Sequence, residues 1–254
     1  MMTQENNFRR QKPDSIYSWK VTDASPLMVA VEAKLKDHKR GSIKSMMKYG
    51  QIAVNGFPVS QFDYALEEGD TISVNFTRPF VIFRHPRIKM VYEDNDIIVI
   101  NKGNGILSVS TDNVKDGTAY SALRNYLKEK DPGLKLFIVH RLDRDTSGLM
   151  LFAKSIEAKE AMQHNWNNMV LNRKYVAVVE GKVEEKQGVM QSYLMENSQF
   201  EVYSTDDKEN GQLAVTRFTT IKTKNGYSLM ELELDTGRKN QIRVHMKDMG
   251  HPIV

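Results

Sequence analysis

Apolar residues recur along the chain with periods near 3.6 and 2, and these periods divide it into helices and strands. Leu27, Val31 and Leu35 stand at helical spacing. A second helix is expected to start at Ser42, a suitable N-cap, and to run through Ile43, Met46 and Met47 to Gly50. Gln51–Val54 and Phe57–Val59 flank Asn55-Gly56, a strong hairpin signal. Glu68-Gly69-Asp70 leads into a strand over Thr71–Val74, and Ile97–Ile100 reads as a buried strand. Thr118 caps a helix with Tyr120, Leu123 and Leu127 inward. Phe137-Ile138-Val139 and Leu149–Phe152 are short apolar runs of buried-strand type. A helix beginning near Ser155 presents Ala158, Ala161, Met162 and Met169. A strand covers Tyr175–Val179. Leu213–Thr223 and Tyr227–Asp235 form a hairpin over Asn225-Gly226, with Met230, Leu232 and Leu234 on one face. The last element is a helix with Ile242, His245, Met246 and Met249 on its stripe, stopped by Gly250 and Pro252. Arg243 falls off that stripe.

These elements group into four segments. Residues 1–20 lack an apolar core, so they are no secretory signal and read as a basic, mobile tail. Residues 21–76 form a small α+β unit. Residues 77–89 carry two prolines and five basic or histidine side chains and read as a linker; Phe80–Phe83 dock it on a domain. Residues 90–254 form a larger unit. No apolar run approaches membrane-spanning length.

Composition narrows the chemistry. Of 254 residues, 40% are hydrophobic and 27% charged, a globular balance. The net charge of +4 favours a polyanionic partner. There is no cysteine, which excludes disulfides, thiolate metal sites and cysteine catalysis. A cytoplasmic location is the expectation.

Two stretches concentrate charge. His140, Arg141, Asp143, Arg144, Asp145, Thr146, Ser147 and Gly148 lie between two apolar runs. Polar groups are costly to bury without partners. The residues alone leave two readings open: a functional site, or a surface loop with ion pairs among its own arginines and aspartates. From Lys34 to Lys48 there are six basic residues against Asp37 alone. Arg40, Lys44 and Lys48 would share one side of a helix, either as a solvated face or as an electrostatic footprint.

His140-Arg141-Leu142-Asp143-Arg144-Asp145-Thr146-Ser147-Gly148 and the apolar run after it resemble the signature of the RluA-type family of RNA pseudouridine synthases, of RluC/RluD-like kind. Arg173-Lys174-Tyr175-Val176-Ala177 with Gly181 is similar to that family's tyrosine strand. Leu234 to Arg238, Gln241-Ile242-Arg243 and Gly250-His251-Pro252-Ile253 resemble its arginine motif. The N-terminal unit resembles an S4 RNA-binding domain, although Ser25-Pro26-Leu27 replace the usual basic residues at the first helix start.

The resemblance implies an α+β fold: a mixed, mostly antiparallel sheet catalytic domain, preceded by a small α+β S4-like domain. It implies an isomerase that turns uridine into pseudouridine, with Asp143 as the catalytic carboxylate. Arg243 is expected to pair with Asp143 and hold it ionised. Tyr175 is expected to stack on the flipped uracil and to help with the proton at C5. Arg141 would fill the gap left in the RNA stack, and Thr146, Ser147 and Gly148 would shape the loop. Arg40, Lys44 and Lys48 would contact phosphates. The reaction calls for no metal, nucleotide or flavin. The expected partner is structured RNA, large-subunit ribosomal RNA first and transfer RNA second, bound by a monomer.

Departures from the family pattern carry further expectations. Gly103 follows Lys102 where relatives have proline, which loosens the following turn and leaves the role of Lys102 open, a surface lysine being one reading. Asn240 replaces a histidine and is expected to matter little to the pocket. His245 is expected to pack the helix and His251 to be structural. The chain stops at Val254, where family members continue, and reads as truncated. Two other classes compete. A metal-dependent phosphatase or nuclease using Asp143 and Asp145 has the wrong spacing and no supporting acidic cluster. A non-catalytic S4-type RNA-binding or ribosome-assembly factor has no use for Asp143, Tyr175 and Arg243.

Overall fold

The computed structural model describes residues 15–111 and 116–254. The chain divides into two compact units. One holds residues up to Met90 together with Ser110–Leu136; the other holds Val91–Val109 and Phe137–Val254.

The first unit opens with β1 (Ile16–Lys20), β2 (Ser25–Pro26), α1 (Leu27–Lys34), α2 (Arg40–Lys48), β3 (Ile52–Val54), β4 (Phe57–Pro58), β5 (Ala65–Leu66) and β6 (Thr71–Asn75). Its sheet has the order β1-β6-β3-β4, and β2 pairs with β5. α1 has no side-chain cap. Instead Leu27 N and Met28 N donate to the carbonyls of Tyr64 and Phe62, each at 2.9 Å, which satisfies two of its orphan N–H groups. Leu27, Met28 and Val31 pack on Ile43, Met46 and Met47 of α2 and on Ile52, Ile72 and Val74 of the sheet. Asn55 and Gly56 both take positive φ (51° and 81°), the geometry of a tight hairpin turn. Asn55 Nδ2 also donates to Asp70 at 2.8 Å, tying the turn to the Gly69-Asp70 bend.

Two expectations are corrected here. Ile16–Lys20, assigned to the tail, pair with β6 in register from Ile16↔Asn75 to Lys20↔Thr71. Their apolar residues stay half-open to solvent, so the segment lacks a buried-strand signal; residues 1–14 of the proposed tail lie outside the described residues. α2 starts at Arg40, not at Ser42. Lys39 serves as its N-cap through backbone geometry alone, and Ser42 lies inside the helix.

Residues 78–83 lie on the first unit's own surface. Phe80 N donates to the Gly50 carbonyl at 2.8 Å. Two further strands and a helix follow: β7 (Ile88–Glu93), β8 (Ile97–Lys102) and α3 (Ala119–Lys130). α3 is capped as expected: Thr118 Oγ1 accepts from Ser121 N at 3.1 Å, and Ser121 Oγ accepts from Thr118 N at 2.9 Å. The sequence places this helix with the segment beginning at residue 90. In the structure it groups with the first unit, where Arg78 donates to the carbonyl of Glu129 at 2.9 Å and Phe83 meets Tyr126 edge-on at 5.5 Å.

The remaining elements are β9 (Phe137–Ile138), β10 (Gly148–Ala153), α4 (Ile156–His164), α5 (Trp166–Met169), β11 (Lys174–Glu180), β12 (Gln187–Glu196), β13 (Val202–Thr205), β14 (Gln212–Lys224), β15 (Tyr227–Leu234) and α6 (Gln241–Asp248). One sheet has the order β7-β8-β10-β9, the other β11-β15-β14-β12-β13. Ile98 and Ile100 of β8 face Phe152 and Met150 of β10, all fully buried. Met230, Leu232 and Leu234 share the buried face of β15, as their alternation predicts. Asn225-Gly226 repeats the positive-φ turn at the β14–β15 hairpin. The helix expected from Ser155 to Met169 is broken at Asn165 into α4 and α5. Ala161 and Met169 are exposed, and α4 buries no residue fully.

Gly188 of β12 lies opposite Phe218 of β14. A Cβ there would come within 2.6 Å of the ring, and the ring is buried in the core shared by β11, β15 and α6. Gly188→Ala is expected to lower stability by about 1–3 kcal/mol, the usual cost of overpacking. A thermal melt checks this; an unchanged Tm would mean the Phe218 ring yields freely.

Candidate active site

The loop between β9 and β10 is polar yet tightly held. At its start, His140 Nε2 accepts a hydrogen bond from Leu151 N at 3.0 Å, and its ring packs against Trp166 with centroids 4.9 Å apart. Burial depresses its pKa to about 4, so the neutral ring accepts the bond. Leu142 is clasped by Ser108, whose Oγ accepts from Leu142 N at 3.1 Å and donates to its carbonyl at 2.5 Å. Thr146 N closes a turn onto the Asp143 carbonyl at 3.1 Å. Gly148 ends the loop with φ 134°, a conformation that side chains rarely adopt.

The strongest tether is Lys102, the last residue of β8. Its side chain is fully buried, so of the readings left open the surface lysine is set aside. Nζ donates to the carbonyls of Ile106 at 2.8 Å, Gly103 at 3.1 Å and Arg144 at 3.1 Å. An ammonium has three donors, and three carbonyls accept. Burial lowers its pKa, opposed by the charges of Asp145 and Asp143. Lys102 therefore fixes both its own following turn and the residue after Asp143.

Arg144 and Asp145 pair with each other at 3.1 Å on the surface. The bond from Arg144 holds the Asp145 carboxyl below its ordinary range, with smaller contributions from Arg243 and Lys102. Asp145 is thus bound within its own loop.

α6 supplies the opposite wall. Asn240 precedes it in the left-handed region (φ 54°), which asparagine tolerates better than most residues. Gln241 Nε2 donates to Thr216 Oγ1 and to the Val215 carbonyl, each at 2.9 Å. His245 bridges Thr216 Oγ1 at 2.8 Å and Ser192 Oγ at 3.0 Å. Burial lowers the His245 pKa, and Asp248 opposes that shift. His245 is a packing residue, as expected. His251 bonds the Glu180 carbonyl at 2.8 Å. With one face of α6 bolted to β14 and β12, Arg243 is left exposed on another.

A cleft of about 320 Å³ is lined by Arg141, Asp143, Arg144, Asp145, Asn240 and Arg243, with Leu107, Ser108, Val109 and Leu142. The structure thus gathers Arg141, Asp143 and Arg243 from distant segments. Among the described residues no ion pair joins Asp143 to Arg243. Tyr175, on β11, does not line the cleft but packs in the core beside it. Burial raises its pKa; the Arg173 charge opposes that shift and the Asp143 charge adds to it. Thr146, Ser147 and Gly148 shape the loop without lining the cleft. Arg40, Lys44 and Lys48 belong to α2 of the first unit. Asn240, expected to matter little, is part of the cleft wall. Ser108 and the burial of Lys102 carry no signal in the sequence. Among the described residues no cluster of three or more acidic or histidine side chains could hold a metal ion.

The cleft thus sets two carboxylates, Asp143 and Asp145, among three arginines. Residues 96–248 match the family RNA pseudouridylate synthase. The chain belongs to this family, the isomerases that convert uridine to pseudouridine in RNA. It is 32% identical over 223 residues to a Bacillus subtilis protein described as the uncharacterized RNA pseudouridine synthase YlyB, spanning 85% of this chain and 73% of that one. It is 30% identical over 221 residues to the ribosomal large subunit pseudouridine synthase D of Yersinia pestis, spanning 86% and 67%. Its fold is similar to that of human RNA pseudouridylate synthase domain containing 4, with a TM-score of 0.53 and 23% identity over 65% of this chain and 66% of that one. Among the described residues no helix is long and apolar enough to cross a membrane.

His140 makes the loop sensitive to acid. The unfolded chain binds its proton near the ordinary value of 6.5, the folded chain only near 4. Stability from this group is full above pH 6.5 and is lost as the pH falls toward 4. The loss should approach roughly 3 kcal/mol by pH 4. Tm measured from pH 7 to 4 should fall more steeply for the natural protein than for His140→Asn, which cannot titrate. Parallel curves would show that His140 is not the responsible group.

Proposed function

We propose that this chain isomerises uridines in large-subunit ribosomal RNA, with Asp143 as the catalytic carboxylate. The observation that carries this reading is the state of Asp143. Its loop is held by Lys102 and Ser108, yet among the described residues no hydrogen bond or ion pair claims its carboxylate. The target is supported by the likeness to a protein described as a large-subunit enzyme.

The reaction breaks the N1–C1′ bond, turns the uracil and joins C5 to C1′. The hydrogen at C5 leaves as a proton and N1 gains one, so nothing is oxidised and no phosphoryl group moves. Asp143 acts as nucleophile or base on the flipped nucleotide. Arg141 and Arg243, on either side, meet phosphate or the space vacated in the stack. The Tyr175 ring flanks the base. Its hydroxyl, protonated at neutral pH, packs and hydrogen-bonds there and helps with the proton at C5. No metal, nucleotide or flavin takes part. The enzyme acts as a cytoplasmic monomer.

The first unit serves as the S4-like RNA grip. α2 exposes Arg40, Lys44 and Lys48. Lys44 lies 5.7 Å from the Phe62 ring and Lys48 5.8 Å from the Tyr49 ring. Both rings are exposed, and cations beside open aromatic faces suit nucleic acid. Arg40 is held at 2.7 Å by Glu32 of α1, so its charge is partly spent within the protein.

Two measurements test this. Asp143→Asn should cut conversion of uridine in unmodified ribosomal RNA to below about a hundredth, a barrier increase of at least ~2.7 kcal/mol, while RNA affinity stays within a few-fold because phosphate contacts dominate it. Substantial residual turnover would remove Asp143 from the role. Replacing Arg40, Lys44 and Lys48 together by Gln should weaken RNA binding and flatten the plot of log K against log salt, by roughly 0.7–0.9 per lost phosphate contact, with single-turnover rates at saturating RNA unchanged. An unaltered slope returns α2 to a solvated face.

A further inference from the structure

Phe200 is out of place by every local rule. It sits in the loop between β12 and β13, with φ 63° and its side chain 77% exposed. A bulky residue at positive φ is a genuine outlier, and an exposed phenyl ring gains nothing from burial. The loop around it is well ordered. Phe200 N donates to the Asn197 carbonyl and Asn197 N to the Glu201 carbonyl, each at 3.0 Å. Asn197 Oδ1 accepts from Gln199 N and Glu201 N, each at 2.9 Å. This is a tight turn followed by a left-handed position, a place that glycine fills without strain. Strain held by surrounding hydrogen bonds, at a residue with no packing role, points toward function.

A second observation ties the ring to the residue that precedes the cleft wall in sequence. Lys239 Nζ lies 5.8 Å from the Phe200 ring centroid, 3.4 Å from the Phe200 carbonyl and 2.5 Å from Glu196 Oε1. The next residue, Asn240, lines the cleft with Asp143 and Arg243. Phe200 is thus in contact with the sequence neighbour of a cleft-lining residue. Glu196 fixes the lysine above the ring and leaves most of the ring open.

We infer that Phe200 and Lys239 form a stacking platform for an unpaired base of the RNA that flanks the nucleotide held in the cleft. Every base has a π-face, so an exposed ring accepts one without regard to sequence. The ring is fixed by its turn before the RNA arrives, so little ordering is needed on binding. The inference rests on the cleft being where the uridine is bound. It does not depend on which residue performs the chemistry.

The choice of variant separates function from folding. Phe200→Gly suits the left-handed backbone and removes only the ring. Binding is read by anisotropy with a short fluorescein-labelled oligouridylate, beside an abasic ribose-phosphate strand of equal length. The expected result is an unchanged or raised Tm for Phe200→Gly and affinity for oligouridylate about fivefold or more weaker, the lower end of what one stacked base contributes. Affinity for the abasic strand and the salt slope should not change, since no phosphate contact is lost. Phe200→Tyr should bind as the natural protein does. Equal oligouridylate affinity for Phe200→Gly and the natural protein overturns the platform. So does failure of the natural protein to prefer oligouridylate over the abasic strand. These readouts need no turnover, so a failed Asp143 assignment would leave them intact.

Discussion

The site depends on one buried ammonium. Lys102 ends β8 in the interior, and its three protons reach the carbonyls of Gly103, Ile106 and Arg144. Any of these left unpaired in a buried setting would cost free energy. The loop bearing Asp143 therefore cannot drift without breaking a charge-assisted bond at Arg144. Ser108 adds a second clamp on Leu142. Between the two, the backbone on both sides of Asp143 is fixed while its carboxylate stays free to meet a substrate.

The opposite wall follows the same logic with neutral groups. Gln241 and His245 bind Thr216 and Ser192 in the interior, and this polar network sets the rotation of α6 about its axis. Arg243 then emerges toward the cleft by consequence. Asn240 makes the entry into α6 possible by taking a left-handed backbone. On both walls, buried residues outside the cleft lining decide where Asp143 and Arg243 are held.

Much of this was legible in the residues. The two Asn-Gly turns announced themselves because both positions need positive φ. The alternation of Met230, Leu232 and Leu234 marked a buried face. The grouping of Asp143 with Arg243 came from resemblance to a family, since no local rule links residues so far apart. What stayed hidden has physical reasons. β12 buries only Leu194 fully among its side chains, so it shows no alternation to read. β1 is held by pairing with β6, and backbone hydrogen bonds leave no mark on side-chain patterns. The role of Lys102 stayed open because a lysine is rarely taken into the interior, and its partners are carbonyls, which are the same for every residue type. The break between α4 and α5 at Asn165 interrupts what spacing alone extends to Met169.

The separation of the cleft's parts along the chain affects how the enzyme comes into being. Lys102 and Arg144 are joined across forty-two residues, and Arg243 follows a hundred residues after Asp143. Contacts so distant in sequence form late, after the closure entropy of the long intervening loops has been met. A growing chain can complete β8 and β10 and hold Asp143 in place while α6 has yet to be made. The Arg243 side of the cleft forms after it. A nascent or partly folded molecule thus carries the carboxylate without its opposite wall, and Arg243 and Asn240 join Asp143 only once α6 docks.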